Sequence, residues 1–261
     1  MKSKMEKVIF FGNGPLADYA LSELEKHFEI IFHAREKADL AKVIELKKEF
    51  PEAHGILASF GVMIKEDILS AFEPEGILNI HPSLLPKYRG ASPIESAILN
   101  GDTEFSVSIM KLVKAMDAGP IYYQTTLQGL ELKKSEIYYA LATAGAKWLG
   151  ENLNSLPKPV LQDESKATFT KKFEKADGVV DFKKTSCDEI LRKIVAFEGF
   201  PKVKSEVYGI FCTILEAHKY IEGEKAKLVI PCLDEKIAID KIQPDGRKIM
   251  DAQAFVNGYV K

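Results

Sequence analysis

The sequence predicts an α/β fold, with a mostly parallel sheet covered by helices on both faces, followed by a small β-barrel. Three observations predict it. Short apolar runs alternate with stretches of helical period from Lys7 to Asn152, a charged and proline-containing stretch from Leu156 to Lys175 breaks that rhythm, and beyond Val179 short alternating segments take over. Strand–helix alternation implies a parallel sheet whose ligands bind outside the carboxyl ends of its strands. Closely spaced short strands imply a barrel. The expected organisation is therefore a first domain over residues 1–160, a linker over 161–178 and a second domain over 179–261.

Lys7-Val-Ile-Phe-Phe-Gly12-Asn-Gly14-Pro reads as a buried strand ending in a tight turn, and Leu16 to Phe28 as the helix that follows. Glu29 to His33 is the second strand, Asp39 to Phe50 a lysine-rich helix, and Gly55 to Phe60 the third strand. Glu45 and Glu49 interleave with Lys42, Lys47 and Lys48 at pairing distance, so that helix presents a solvated face rather than a nucleic-acid site. A short helix near Lys65 to Ala71, a strand at Gly76 to Ile80 and a helix at Ser92 to Asn100 come next, the last with Ser92 as cap and Pro93 at its first position. Phe105 to Lys111 and Ile121 to Thr126 are further strands, and Ser135 to Asn152 is a long helix capped by Ser135. After the linker, a helix from Cys187 to Phe197 precedes strand segments around Val203 to Ile210, Cys212 to His218, Lys227 to Cys232 and Lys236 to Ile242.

Composition narrows the class. The 261 residues are 46% hydrophobic and 28% charged, within the ordinary range of a soluble globular protein. A net charge of −2 gives no global footprint for nucleic acid and leaves a local basic face open. The three cysteines, Cys187, Cys212 and Cys232, show no CxxC spacing and are expected to be reduced and mostly buried. Met1 to Lys7 is basic, but the apolar run after it is too short for a secretory core or a membrane span, so a cytoplasmic protein is expected. No metal-ligand spacing is visible, and a monomer is the default expectation.

The densest chemistry lies in Leu78-Asn79-Ile80-His81-Pro82-Ser83-Leu84-Leu85-Pro86-Lys87-Tyr88-Arg89-Gly90. Alternate residues of a strand share a face, so Asn79 and His81 share one pocket, with His81 expected just past the strand. Met116-Asp117-Ala118-Gly119 forms a turn whose carboxylate can reach the same crevice. An amide, an imidazole and a carboxylate with no activated Ser or Cys suit acyl transfer by direct attack of the substrate. Taken singly, each residue has a bland reading: His81 as a satisfied strand-end histidine, Asp117 as a turn former, Arg89-Gly90 as a surface turn.

Asn79-Ile-His81-Pro-Ser83-Leu-Leu-Pro86-x-Tyr-Arg89-Gly90-Ala-x-Pro93-Ile, with Ser106-Val-Ser-Ile-Met110 and Asp117-Ala-Gly119 downstream, resembles the signature of the 10-formyltetrahydrofolate-dependent formyltransferases. The resemblance implies a Rossmann-like catalytic domain, a catalytic trio of Asn79, His81 and Asp117, and a folate site lined by Ser83, Leu84, Leu85 and Pro86. The stretch from Ala167 to Lys175, then Val180-Asp181-Phe182, Ile190 to Phe200-Pro201 and Ile242 to Met250, is similar to the tRNA-directed branch of that family. That similarity implies an OB-like second domain and initiator methionyl-tRNA as acceptor, with 10-formyltetrahydrofolate as co-substrate. Two departures stand out: Arg35-Glu36-Lys37 runs almost directly into a helix where that branch carries a longer basic loop, and Glu198-Gly199-Phe200-Pro201 replaces a tryptophan-rich Asn-Pro-Trp-Pro stretch.

On this reading the neutral amine attacks the formyl carbon, and Asn79 and a protonated His81 donate to the tetrahedral oxyanion. Asp117 favours the imidazolium and, directly or through water, relays the amine proton to the departing folate nitrogen. Three other readings stay open. Gly12-Asn-Gly14-Pro-Leu-Ala17 fits a dinucleotide fingerprint, but the second strand ends at His33 with no acid for a ribose hydroxyl. A small amine such as an amino-sugar nucleotide could be the acceptor, and a non-catalytic RNA- or folate-binding protein could keep the fold.

Overall fold

A computed structural model describes residues 5–129 and 133–260, so the basic Met1 to Lys4 end of the chain lies outside the described residues. Two compact units emerge, one built from residues up to 94 with 103–171, the other from 95–102 with 172 onward.

The first unit holds a six-stranded sheet in the order β2-β1-β3-β4-β5-β6. Its strands are β1 (Lys7–Gly12), β2 (Glu29–Ala34), β3 (His54–Ala58), β4 (Ile77–His81), β5 (Phe105–Lys111) and β6 (Ile121–Leu127). The first four run parallel to their neighbours, while β5 and β6 are antiparallel additions on the β4 side. Strand β1 lies between β2 and β3, and its Val8, Ile9, Phe10 and Phe11 are all completely buried, as a strand covered on both faces requires. Helices α1 (Pro15–Leu24) and α5 (Lys134–Asn152) pack together, and α5 also lies on β5. A cluster of Ile9, Phe11, Val43, Leu57, Phe72 and Ile77 forms a core with α2 (Leu40–Glu49) and α3 (Glu66–Ala71). Each such side chain contributes roughly 1.5–3 kcal/mol by leaving water.

The turn after β1 shows why Gly12 and Gly14 are there. A Cβ on Gly12 would lie 2.7 Å from both the Ala17 Cβ and the Ala58 carbonyl, and Gly14 sits at φ 85°. The two glycines let α1 start hard against β3, with Pro15 at its first position. The lysine-rich helix is solvated only in part. Lys42 pairs with Glu45 at 2.9 Å, but Lys47 turns back to the Ala53 carbonyl at 2.7 Å and lies over the Phe72 ring, and burial lowers its pKa. Helix α5 begins one residue earlier than expected, with Lys133 at the cap position and no side-chain cap hydrogen bond, so Ser135 lies inside the first turn.

The second unit carries α6 (Cys187–Ala196), whose Ser186 cap accepts the Glu189 N–H at 3.2 Å, and a five-stranded antiparallel sheet. Strand β10 (Lys236–Pro244) is its spine: β8 (Ile210–Lys219) pairs along one edge, while β9 (Val229–Pro231) and β11 (Met250–Asp251) share the other. Beyond β8 lies β7 (Val203–Val207). The register of β10 on β8 skips Asp240, and such a bulge bends and twists a strand, giving the curled half-barrel that corresponds to the expected OB-like barrel. The break between β7 and β8 falls at Tyr208-Gly209, both at positive φ, rather than at Phe211 as the alternation suggested. A two-residue turn of that kind matches the strand twist. The sequence reading also missed α7 (Ala252–Tyr259), capped by Asp251, whose side chain accepts the Ala254 N–H at 2.8 Å. Among the described residues no helix is long and apolar enough to cross a membrane.

All three cysteines are free, with Cys187 and Cys212 buried. Burial pushes the Cys212 thiol up to about 11 and the Cys232 thiol up to about 12, so both stay protonated at neutral pH.

Candidate active site

Strand β4 is buried along its whole length, and its register places Asn79 opposite Met110 and His81 opposite Ser108 on β5. His81 is thus the last residue of the strand rather than the first beyond it. The residue spacing of two keeps Asn79 and His81 on one face, and both are at most 5% exposed. Among the described residues no hydrogen bond engages the Asn79 amide, and no fully buried side-chain nitrogen or oxygen lacks a partner. The amide therefore keeps contact with solvent inside an otherwise closed wall.

Asp117 comes to His81 from the turn between β5 and β6. Its backbone is at φ 49°, in the left-handed region that Asp tolerates better than most residues. One carboxylate oxygen, Oδ2, accepts the Gly90 N–H at 2.8 Å, and the other, Oδ1, stands 3.7 Å from His81 Nδ1. On the far side of the ring, His81 Nε2 is 3.1 Å from the Tyr88 carbonyl. A carbonyl only accepts, so Nε2 carries a hydrogen, and the ring edge turned to Asp117 is Nδ1. The gap of 3.7 Å exceeds a direct hydrogen bond and leaves Nδ1 and Oδ1 open to a third group.

The loop from Ser83 to Gly90 is tied down from β5 and β6. Ser108 Oγ donates to the Ser83 carbonyl at 2.6 Å and accepts the Leu85 N–H at 3.2 Å, while Gln124 Nε2 donates to Ser108 Oγ at 2.8 Å and to the Leu85 carbonyl at 2.9 Å. Ser83 Oγ donates to the Lys87 carbonyl at 2.6 Å, so its hydroxyl shapes the loop. Of the expected folate-lining residues, Leu85 is buried and Leu84 faces outward at 42% exposed. Neither Ser83 nor Ser108 has a base activating its hydroxyl, since each donates to a carbonyl. That geometry suits direct attack by a substrate amine and leaves no covalent nucleophile among these residues.

Sequence reasoning missed the support beneath Asp117. Arg89, read as a possible surface residue, is 2% exposed, and it forms a two-pronged pair with Glu164 at 2.7 and 2.8 Å while also donating to Gln162. The hydrogen-bonded pairing raises the Arg89 pKa and lowers that of Glu164. Gln162 and Glu164 lie in the stretch read as linker, whose Leu161 and Phe169 are indeed exposed. Its backbone nonetheless bonds to the loop: Arg89 N–H to the Thr168 carbonyl at 2.9 Å, and Thr170 N–H to the Arg89 carbonyl at 2.7 Å. One signal was available. An arginine inside an apolar loop needs a partner when buried, and a downstream acid was the place to look.

Among the described residues no group of His, Cys, Asp and Glu is arranged to hold a metal ion. What the site offers is a free amide donor, an imidazole edge and a carboxylate within about one water's reach, suited to stabilising a developing oxyanion and moving a proton.

Two family models match in order: the formyl transferase model over residues 15–153 and the formyl transferase C-terminal domain over residues 172–260. The methionyl-tRNA formyltransferase of Granulibacter bethesdensis is 34% identical over 215 residues, covering 78% of this chain and 67% of that protein. The structure of methionyl-tRNA formyltransferase from Clostridium thermocellum shares the fold with a TM-score of 0.66 at 17% identity, over 95% of this chain and 99% of that one. HypX from Aquifex aeolicus, solved in complex with tetrahydrofolic acid, shares it with a TM-score of 0.74 at 19% identity, over 99% of this chain and 48% of that one. With both models matched in sequence order and a relative aligned over most of both lengths, the chain belongs to the formyl transferase family.

Proposed function

We propose that this formyltransferase moves the formyl group of 10-formyltetrahydrofolate onto the α-amine of initiator methionyl-tRNA, in the cytoplasm, at the start of translation. The observation that carries the site assignment is the convergence of Asp117 Oδ1 on His81 Nδ1 at 3.7 Å, beside an Asn79 amide whose hydrogen-bonding capacity is unspent. The methionyl-tRNA acceptor is supported by the relative at 34% identity and by the second unit, which matches the family's C-terminal domain.

The neutral amine attacks the formyl carbon, a carbon–nitrogen bond forms, and the carbonyl electrons move to oxygen. Asn79 Nδ2–H meets that oxyanion. Because Nε2–H is spent on the Tyr88 carbonyl, the His81 hydrogen that reaches the oxyanion is the one on Nδ1, in the protonated ring. Asp117 Oδ1, free of the Gly90 bond, takes the amine proton through a water and returns it to the departing folate nitrogen. Collapse of the intermediate then breaks the bond to that nitrogen.

One observation favours a small amine instead. The β2–α2 connection is closed tightly, with Asp39 Oδ2 accepting the Arg35 and Glu36 N–H groups at 2.7 and 3.0 Å, so it extends no long loop toward a macromolecular acceptor. Incubation with 10-formyltetrahydrofolate and either charged initiator tRNA or amino-sugar nucleotides, following tetrahydrofolate release, separates the two. Turnover with the sugar nucleotides alone defeats the tRNA assignment, and turnover with neither defeats formyl transfer.

A further inference from the structure

We propose that Gln162 is a positioning residue that holds Asp117 at the distance from His81 that the reaction uses; this rests on the reading of Asp117 as the proton relay.

Asp117 sits at φ 49°, a left-handed conformation that Asp tolerates better than most residues but holds at some cost, and its side chain has one hydrogen-bond anchor, the Gly90 N–H. Its backbone is held by the turn bond from the Ala118 N–H to the Ala115 carbonyl at 3.3 Å and, from outside the turn, by Gln162. Nε2 of Gln162 donates to the Asp117 carbonyl and to the Gly119 carbonyl, each at 2.8 Å, fastening both sides of the turn with one amide. Oε1 of the same amide accepts from Arg89 Nε at 3.0 Å and Nη2 at 2.8 Å. Every hydrogen-bonding site of the amide is thus filled. Its orientation is also forced, because Arg89 offers only donors and the two carbonyls offer only acceptors.

The bonds close a ring. Asp117 is held through its carboxylate by the Gly90 N–H and through its carbonyl by Gln162, which is held by Arg89, the residue adjoining Gly90. Glu164 locks Arg89 from outside with two bonds, at 2.7 and 2.8 Å. A turn restrained at both its side chain and its backbone cannot drift toward His81 to form a direct pair or away from it to lose water-bridged reach. Arg89 and Asp117 lie in the motif-bearing region, whereas Gln162 comes from 45 residues beyond Asp117 and touches neither ring nor carboxylate in any bond described.

Gln162→Glu tests this with little change of shape. The introduced carboxylate keeps an acceptor for Arg89 and sets oxygen against the two carbonyls, cutting only the half of the network that reaches the Asp117 turn. In steady-state assays with 10-formyltetrahydrofolate and charged initiator tRNA, kcat should fall about 10- to 100-fold, the scale of a misplacement near 1 Å, with KM for both substrates little changed. Asp117→Asn is measured alongside, and the double variant should be no slower than Asp117→Asn alone, since a positioning residue has nothing left to position.

Wild-type kcat in folded Gln162→Glu, or losses that multiply in the double variant, overturn the proposal. A slow Asp117→Asn beside an unimpaired Gln162→Glu sinks this inference only; an Asp117→Asn enzyme at full rate sinks the site reading itself. Where Gln162→Glu does not fold, Gln162→Asn, too short to span Arg89 and the turn, carries the same readings. Loss of fold in both shows a purely structural role and overturns the proposal as well.

Discussion

Asn79 is the residue whose environment says most about purpose. A polar amide at most 5% exposed would ordinarily be fully bonded, because leaving a buried donor unmade costs about 1–3 kcal/mol. Here the amide is left open to the crevice, available to a charge that appears only during reaction. Asn79→Ala should therefore lower kcat by roughly 10²–10³, the usual loss of one oxyanion donor, with the melting temperature nearly unmoved since no protein hydrogen bond is lost. Single-turnover tetrahydrofolate release and calorimetry read both quantities, and near wild-type turnover would remove Asn79 from the chemistry. This pair of residues was legible because strand periodicity alone places Asn79 and His81 on one face. For Asp117 the turn between two strands showed only that its carboxylate can reach the crevice, and the ordered motif gave it its place in the trio, as no local rule says that a turn 27 residues past Gly90 returns to it. The Gln162 contact was illegible for the same reason in stronger form: a side-chain bond across 73 residues leaves no period in the chain.

At the scale of elements, β4 is held between two constraints that can be perturbed separately. On one side α5 approaches so closely that a Cβ on Gly145 would lie 2.7 Å from Ile80 Cγ2 and 3.2 Å from Val107 Cγ2. Gly145→Ala would gain about 1 kcal/mol of helix propensity, but overpacking a rigid interior costs about 1–3 kcal/mol. The clash is with β-branched side chains, which cannot rotate away cheaply, so the cost wins. The expected outcome is a lower urea midpoint and a slower enzyme, because Ile80 stands between Asn79 and His81; an Ala variant more stable than wild type would refute the close-contact argument. On the other side, Ser108 on β5 ties the Ser83 to Leu85 loop with its two bonds. Ser108→Ala should raise KM for 10-formyltetrahydrofolate more than it lowers kcat, as the loop loosens while Asn79 and His81 stay in register, and initial-rate measurements against each substrate separate the two effects. The strands of the first unit were readable from apolar runs, with boundaries displaced by only a residue or two. Helix α7 was not: it follows β11 without an intervening loop, and only its Asp251 cap announces it.

For the molecule as a whole, a net charge of −2 gives little long-range field, so its response to pH is set by local groups, among them one pair in each unit that act in opposite directions. In the first unit, hydrogen bonds from Arg89 hold the Glu164 carboxyl below its ordinary range. That pairing stabilises fully above the unfolded carboxyl pKa of about 4.3 and is lost as pH falls through the lowered folded value. In the second unit, His218 Nδ1 meets Asp240 at 2.8 Å and Nε2 meets Glu224 at 3.3 Å, which raises the His218 pKa. That contribution is complete below the unfolded imidazole value of about 6.5 and fades as pH rises through the raised folded value. It is also modest, under about 1 kcal/mol, because the group is half exposed and screened by salt. Both pairings contribute at full strength together only between about pH 4.3 and 6.5. Hydrogen exchange measured peptide by peptide should show the first unit losing protection on the acid side of that window and the second on the alkaline side. Glu164→Gln should flatten only the acid limb, and His218→Gln only the alkaline one. If both units instead lost protection together on one side, and neither variant changed its limb, the pairs around Arg89 and His218 would not set the pH response.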